Sequence, residues 1–377
     1  MSMVEWKKLE DFGNYFGGLT GKTKEDFVEG NAKFITYMNV FANPALDVST
    51  TGVVRINEGE KQNKIQKGDI LFTGSSETPD EAGMSCVVTD DLNEDYYMNS
   101  FCFGIRLNQP EQYKLGYLKH ILRSSSIRKE IAKSASGVTR FNISKARFGK
   151  ILIPLPSLSE QERIVGILDT FTSSIENLKA QISLRRKQYE HYRNKLLDLE
   201  GKEGVEMKKI SEFCLLKAGK SISSDDITEV KRVNNYPCIG GNGIRGYVPF
   251  YSHVGSYPII GRQGALCGCV NWITGKFYAS EHAVVATGKE NIDQRFLYYL
   301  FENADLNQYK TQGAQPGLSV AKLNDIAFSL PSLEEQSHIV SILDEFEASI
   351  KNLEAQFEAR EKQYEYYREK LLTFERE

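Results

Sequence analysis

At 377 residues with 41% hydrophobic side chains, the chain has material for two or three packed domains. No window approaches the roughly 18 uninterrupted apolar residues of a membrane span, and residues 1–8 lack the apolar core of a signal peptide, so a cytoplasmic location is expected and no membrane partner. The net charge of −3 ordinarily argues against nucleic acid, which makes its distribution the deciding quantity. In chain order, alternating and β-branched residues predict strands at 33–38, 69–72, 86–88 and 100–105. A helix follows over 117–133, then a polar Gly-containing loop at 136–144, then a strand that leads into a long helix. The second half runs the same way, with strands at 257–260 and 282–285, a helix over 295–309, a polar loop at 312–319 and a second long helix.

Both long helices open on one motif. Leu-Pro-Ser-Leu-Ser-Glu-Gln at 155–161 returns as Leu-Pro-Ser-Leu-Glu-Glu-Gln at 330–336, an offset of 175 that holds without insertion to Leu196 and Leu371. Ile164, Leu168, Phe171, Ile175, Leu178 and Ile182 follow a 4,3,4,3 spacing, and Ile339, Leu343, Phe346, Ile350, Leu353 and Phe357 repeat it. The pattern continues through Arg185, Tyr189 and Tyr192 and through Arg360, Tyr364 and Tyr367. A period of about 3.5 keeps one face on a straight partner, which is a coiled-coil seam. Ser157 with Glu160, and Ser332 with Glu335, fit the capping box that starts a helix.

Residues 4–12 also resemble 205–213, at an offset of 201, so each half is a globular domain followed by a helix. The expected organisation is a first domain at 1–154, a central helix at 155–200, a second domain at 201–329 and a C-terminal helix at 330–377, with a short hinge at 201–204. The fold class is α+β, with two mixed domains alternating with two helices under an internal pseudo-two-fold. Each domain then sits at the N-terminal end of its own helix, so pairing the seams makes the helices antiparallel and puts the domains at opposite ends. A helix of about 40 residues spans roughly 60 Å.

The charge is uneven. The last 48 residues hold 6 basic and 12 acidic side chains, whereas residues 114–150 hold ten basic ones (Lys114, Lys119, Arg123, Arg128, Lys129, Lys133, Arg140, Lys145, Arg147, Lys150) against Glu130 alone. That density exceeds what a solvated helix face needs. Catalytic patterns fail one by one. Gly241-Asn242-Gly243-Ile244-Arg245-Gly246 has the glycine spacing of a dinucleotide site, but a strand-like run follows where a helix N-terminus is required. Asn234-Asn235-Tyr236-Pro237 lacks the central prolines of an amino-methyltransferase motif, and Pro79-Asp80 is followed by no Asp/Glu-x-Lys in the next thirty residues. Histidines 120, 191, 253, 282 and 338 are dispersed, and Cys267-x-Cys269 without a second pair points to buried thiols. The remaining polar elements suit a duplex: Lys and Arg for phosphates, and Arg, Asn, Gln, Ser and Thr for base edges. Arg262 and Gln263 lie on a Gly-flanked turn that can enter a groove.

Two variable domains, two similar helices, the repeated Leu-Pro-x-Leu-x-Glu-Gln starts, the Tyr-Arg-x-Lys-Leu-Leu ends and the Gly-Arg-Gln-Gly and Ser-Gly-Val-Thr-Arg-Phe-Asn-Ile-Ser loops resemble the specificity subunits of type I restriction-modification systems. The resemblance covers essentially the whole chain. It implies domains that each bind one half of a bipartite double-stranded DNA site, and helices that set the spacing, dock two modification subunits and link to restriction subunits. It implies no cofactor in this chain: S-adenosylmethionine, ATP and Mg belong to the partners, and this chain is not itself an enzyme. Carried over by position, the DNA contacts are Arg140, Asn142, Ser144 and Lys145 in the first domain and Arg262, Gln263, Gln315 and Ser319 in the second, joined by Lys133, Arg147 and Arg245. The competing readings are a coiled-coil scaffold that binds only proteins, which the basic stretch opposes, and a self-contained modification-restriction enzyme, which the missing motifs oppose.

Overall fold

The computed structural model describes residues 4–264, 266–311 and 316–375. The chain forms two compact units, Met1–Leu178 with Gln356–Glu377, and Lys179–Ala355, so each unit takes a domain, part of one long helix and part of the other.

In the first unit, Glu5–Lys8 pairs antiparallel with Leu152–Leu155, the strand that delivers the chain into the central helix. In the second, Glu206–Lys209 pairs with Ala327–Leu330 in the same register, Glu206 opposite Leu330 as Glu5 is opposite Leu155. The similarity between 4–12 and 205–213 is therefore a strand that ties each domain's first residues to the root of its helix. The rest of the first domain holds an antiparallel sheet ordered Gly13–Gly17, Cys102–Leu107, Ile70–Thr73, Ser85–Val87, a second four-stranded sheet and a small three-stranded one. The second domain is built on one six-stranded sheet ordered Cys214–Ala218, Ala283–Gly288, His253–Gly261, Val270–Ala279, Tyr236–Gly240, Gly243–Val248.

Several expected elements change on folding. The strand expected at 33–38 ends at Ile35, because the Thr36 hydroxyl accepts from the Asn39 N–H and starts the helix Tyr37–Ala42. The helix expected at 117–133 is two helices, Leu115–Ile121 and Ser125–Ser134, with Ser124 as the N-cap of the second. The helix expected at 295–309 stops at Asn303, and after Asp305, at φ 44°, a 3-10 turn covers Leu306–Tyr309. Much of the loop at 136–144 is a tight hairpin, Ala135–Ser136 against Phe141–Ile143, whose second strand also pairs with Ser75–Ser76.

The long helices are Leu158–Leu197 and Leu333–Leu372, each of 40 residues. They pair antiparallel: Phe171, early in the first, stacks on Tyr367, late in the second, while Tyr192 stacks on Phe346 in the other unit. Ile164, Leu168, Ile339 and Leu343 are fully buried, but not in a helix-only seam. Ile164 and Leu168 pack with Ile121, Ile127 and Leu372, and Ile339 and Leu343 with Phe296, Leu300 and Leu197, so each helix start is a three-way junction of helix, helix and domain. Further along, Ile175 and Leu178 are buried, and Phe171, Ile182, Phe346, Ile350, Leu353 and Phe357 are half-buried.

The capping box is half made. Ser157 and Ser332 accept the N–H groups of Glu160 and Glu335, but the Glu160 carboxylate pairs with Arg163 instead of reaching back. The six cysteines are free thiols, five buried and Cys269 half-buried. No described helix is long and apolar enough to cross a membrane.

Candidate nucleic-acid interface

The basic stretch of the first domain divides by burial. Arg123 spends its guanidinium on four carbonyls, donating to Ser85 at 2.8 Å and to Val40, Phe41 and Asn43 at 3.0 Å. Arg128 likewise donates to Gly83, Asp80 and Ala82. Burial pulls both guanidinium groups down to about 10, which leaves them charged at neutral pH. These two arginines staple loops. Lys114 and Lys119 pair with Glu162 and Asp169 of the central helix, and Lys133 with Glu130 on its own helix. Lys129, Arg140, Lys145, Arg147 and Lys150 are exposed.

Arg140, Asn142, Ser144, Lys145 and Arg147 come together on one hairpin and the short helix after it. Gly137 permits the turn, since a Cβ there would sit 1.9 Å from the Arg140 carbonyl at a φ of 155°. The Arg140 Nε donates to the Ser75 hydroxyl at 3.2 Å, and its guanidinium lies 5.5 Å from the Phe101 ring centre. Asn142 is exposed on the strand facing Ser75, and Ser144 heads the helix Lys145–Phe148. The Lys145 ammonium rides 5.5 Å over Phe103, and Arg147 reaches the Ala135 carbonyl at 3.4 Å. Lys133 stands in the last turn of the preceding helix.

In the second domain four segments converge. The glycine-rich segment at 241–246 is a strand turn, as its following residues foretold. It packs so closely that a Cβ on Gly261 would lie 1.8 Å from the Gly241 carbonyl. Beside it the Arg262 N–H donates to the His282 carbonyl at 2.9 Å, the Arg262 carbonyl accepts from Leu318 N–H at 2.8 Å, and Gln263 bridges to Gly317. Arg245 sits 3.6 Å from the Glu281 carboxylate and donates to the Ser224 hydroxyl at 3.3 Å. Ser319 is the half-buried N-cap of Val320–Asn324, and Gln315 lies outside the described residues. Sequence reasoning missed Glu281 and His282, whose side chains meet at 3.0 Å in the same cluster. The signal was there: Ser280-Glu281-His282 interrupts two apolar runs, and Ser280, fully buried, locks that turn by donating to the Ile239 carbonyl at 2.8 Å.

Each domain is fastened to its helix by the same two side chains. Gln161, buried in the first helical turn, accepts the Lys114 N–H at 3.0 Å and donates to the Pro156 carbonyl at 2.9 Å. Gln336 accepts the Asp293 N–H at 2.8 Å and donates to Pro331 at 2.9 Å. Two turns on, Asp169 binds Lys119 at 2.7 Å and His120 at 2.6 Å, and its counterpart Asp344 binds Arg295 at 2.8 Å and Tyr299 at 2.5 Å. The repeated Glu-Gln of the motif is thus a joint as well as a helix start.

The helix surface is duplicated too. In the second unit Arg185, Gln188, Tyr192, Lys195, Leu196, Ile342 and Phe346 line a groove of about 490 Å³. At the repeat offset the first unit carries Arg360, Gln363, Tyr367, Lys370, Leu371, Ile167 and Phe171, the same residue types throughout. Their geometry agrees: the Tyr–Phe stacks are 5.4 and 5.3 Å between centres, and each seam arginine lies over the phenylalanine, at 5.7 and 5.6 Å. That stacking explains an arginine in an apolar seam.

The family described as the type I restriction modification DNA specificity domain matches residues 1–185 and 202–359. The chain belongs to this family. It is 43% identical over 217 residues to the Type I restriction enzyme EcoprrI specificity subunit of Escherichia coli, and the match covers 53% of each chain. A Haemophilus influenzae relative, provisionally assigned to the same class, is 34% identical over 47% of this chain and 48% of its own length. The matched segments therefore span about half of these relatives. In fold, the chain is similar to the S subunit of a type I restriction-modification system from M. genitalium, with a TM-score of 0.64 and 16% identity over 100% of this chain and 97% of that one.

Proposed function

We propose that this chain is the non-catalytic DNA-recognition subunit of a type I restriction-modification complex of the cytoplasm. Each domain reads one half of a bipartite duplex target. The paired helices set the spacing and dock two modification subunits, and restriction subunits join through those. Methyl transfer from S-adenosylmethionine and ATP- and Mg-dependent translocation and cleavage belong to the partners. The observation that carries the reading is that the first domain gathers exposed Arg140, Asn142, Lys145 and Arg147 on one hairpin and the helix after it, and that the second exposes Arg245 and Gln263 beside half-buried Arg262 and Ser319, a donor and acceptor set suited to phosphates and base edges. The groove of the second unit, and the same residue types at the repeat positions of the first, support two equal docking partners.

The test is duplex binding by this chain in complex with its modification subunit. Binding should weaken steeply with salt, and Arg140→Glu with Lys145→Glu should abolish it. Unchanged binding in that variant would favour a purely protein-binding scaffold, and methyl transfer by the chain alone would sink the reading. Tyr192→Ala and Tyr367→Ala should each remove one modification subunit from the assembly, read as a mass loss by native mass spectrometry.

A further inference from the structure

Resting on that reading, we propose that the first domain recognises a thymine in its half-site by the 5-methyl group, through an apolar patch that Met38, Phe101 and Val138 form around Arg140. The three side chains are 61%, 58% and 92% exposed. Their positions are fixed by different means. Phe101 lies under the Arg140 guanidinium, its N–H donates to the Asn99 side chain at 2.9 Å and its carbonyl accepts from Gly74 N–H at 2.8 Å, so the ring stands on a tight turn. Met38 is in the first turn of Tyr37–Ala42 and lines a hollow of about 210 Å³ together with Arg140. The Tyr37 hydroxyl anchors that helix by donating to the Ser75 carbonyl at 2.8 Å, next to the Arg140 partner. Val138 stands two residues before Arg140 in the hairpin turn, and its place in the patch rests on that proximity in the chain and on its exposure.

Exposed apolar side chains gathered on a charged surface mark a contact, and the chemistry here selects its kind. Glu77 and Glu81 line the hollow beside Arg140, so a phosphate entering it would meet two carboxylates. A neutral base edge meets no such repulsion. Lys145, Arg147 and Lys150, exposed on the segment that follows, are left for the backbone. In the major groove thymine alone presents a methyl group, beside an acceptor oxygen that an arginine can take. Arg140 set within an apolar rim matches that pair of features.

The experiment uses the assembled complex with its modification subunit and a target mapped by sequencing modified bases in a host that carries it. Each thymine of both half-sites, on either strand, is replaced singly by uracil, which lacks only the methyl. At least one position in one half-site should bind about fourfold more weakly, the worth of one buried methyl. In Met38→Ala, Phe101→Ala and Val138→Ala, taken singly, the contacting residue should bring the thymine-to-uracil ratio at that position close to one while binding to the uracil duplex changes less than about twofold. Equal binding of thymine and uracil everywhere overturns the proposal, as do a ratio that survives all three substitutions and variants that fail to join the modification subunit. If the wild-type complex shows no preference for its mapped target over unrelated duplex, the recognition reading itself falls and takes this one with it.

Discussion

Arg123 and Arg140 belong to one basic stretch and meet opposite surroundings. Arg123 fills a buried site with four carbonyl acceptors, where the planar fork cannot be replaced by a point charge. Arg123→Lys should therefore cost about 3 kcal/mol in urea denaturation, from buried acceptors left without donors. The salt dependence of DNA binding should stay as it was. Arg140→Ala should do the reverse, costing at most about 1 kcal/mol of stability while weakening binding of the specific target by about 1–3 kcal/mol, the loss expected of a base contact. Acid response also belongs to single residues. Burial disfavours ionisation of Asp169, but hydrogen bonds from His120 and Lys119 outweigh it and hold the carboxyl down to about 2, from an ordinary 3.8. Burial lowers the His120 imidazole below its ordinary 6.5. A depressed carboxylate contributes stability above 3.8 that is lost as pH falls toward 2, and a depressed imidazole adds a loss beginning below 6.5. Thermal midpoints measured against pH should fall over both ranges in the wild type, and Asp169→Asn should show a smaller loss in the lower one.

Elements in this chain are held at their roots. A helix start that joins its domain through a buried glutamine leaves several polar groups unpaired when the side chain is removed. Gln336→Ala should cost about 2–4 kcal/mol by chemical denaturation, and Glu335→Ala, at a half-made capping box, under about 1 kcal/mol. Leu168→Ala at the three-way junction should cost about 3 kcal/mol, whereas Leu184→Ala, exposed on the same helix, should lie within about 0.5 kcal/mol. The long helices were legible because a 3.5 period is a local signal repeated many times. The break at Ser124 and the early end of the strand at Ile35 were not, because each depends on one serine or threonine hydroxyl finding one N–H. The joint was hidden for a related reason: the Lys114 and Asp293 N–H groups that Gln161 and Gln336 accept lie 47 and 43 positions away in sequence.

For the whole molecule, the proposed function gives the measuring role to the helices. Leu197 and Leu199 bury in the same core as Ile210 and Phe213, so the turn at 201–204 is bracketed by packed residues. A few residues inserted there should bulge into solvent and leave the spacing of half-sites unchanged. A seven-residue insertion at matched seam positions of both helices adds about 10 Å and preserves the seam, and should lengthen the spacer of the modified target while keeping each half-site. Sequencing modified bases in hosts carrying either variant separates the outcomes, and an unchanged spacer after paired insertions would remove the helices from the measuring role.

By itself the sequence determined the duplication, the seam and its period, the uneven charge and the lack of catalytic motifs, since each is a pattern of residue types along the chain. Only the tertiary structure decided which basic residues are spent inside. Arg123 and Arg128 read like Arg140 until the carbonyls of distant loops close around them, because burial and hydrogen bonding are properties of neighbours in space. It also decided that Arg245, Arg262, Gln263 and Ser319 share a surface with Glu281 and His282, an assembly of four segments that no local pattern encodes.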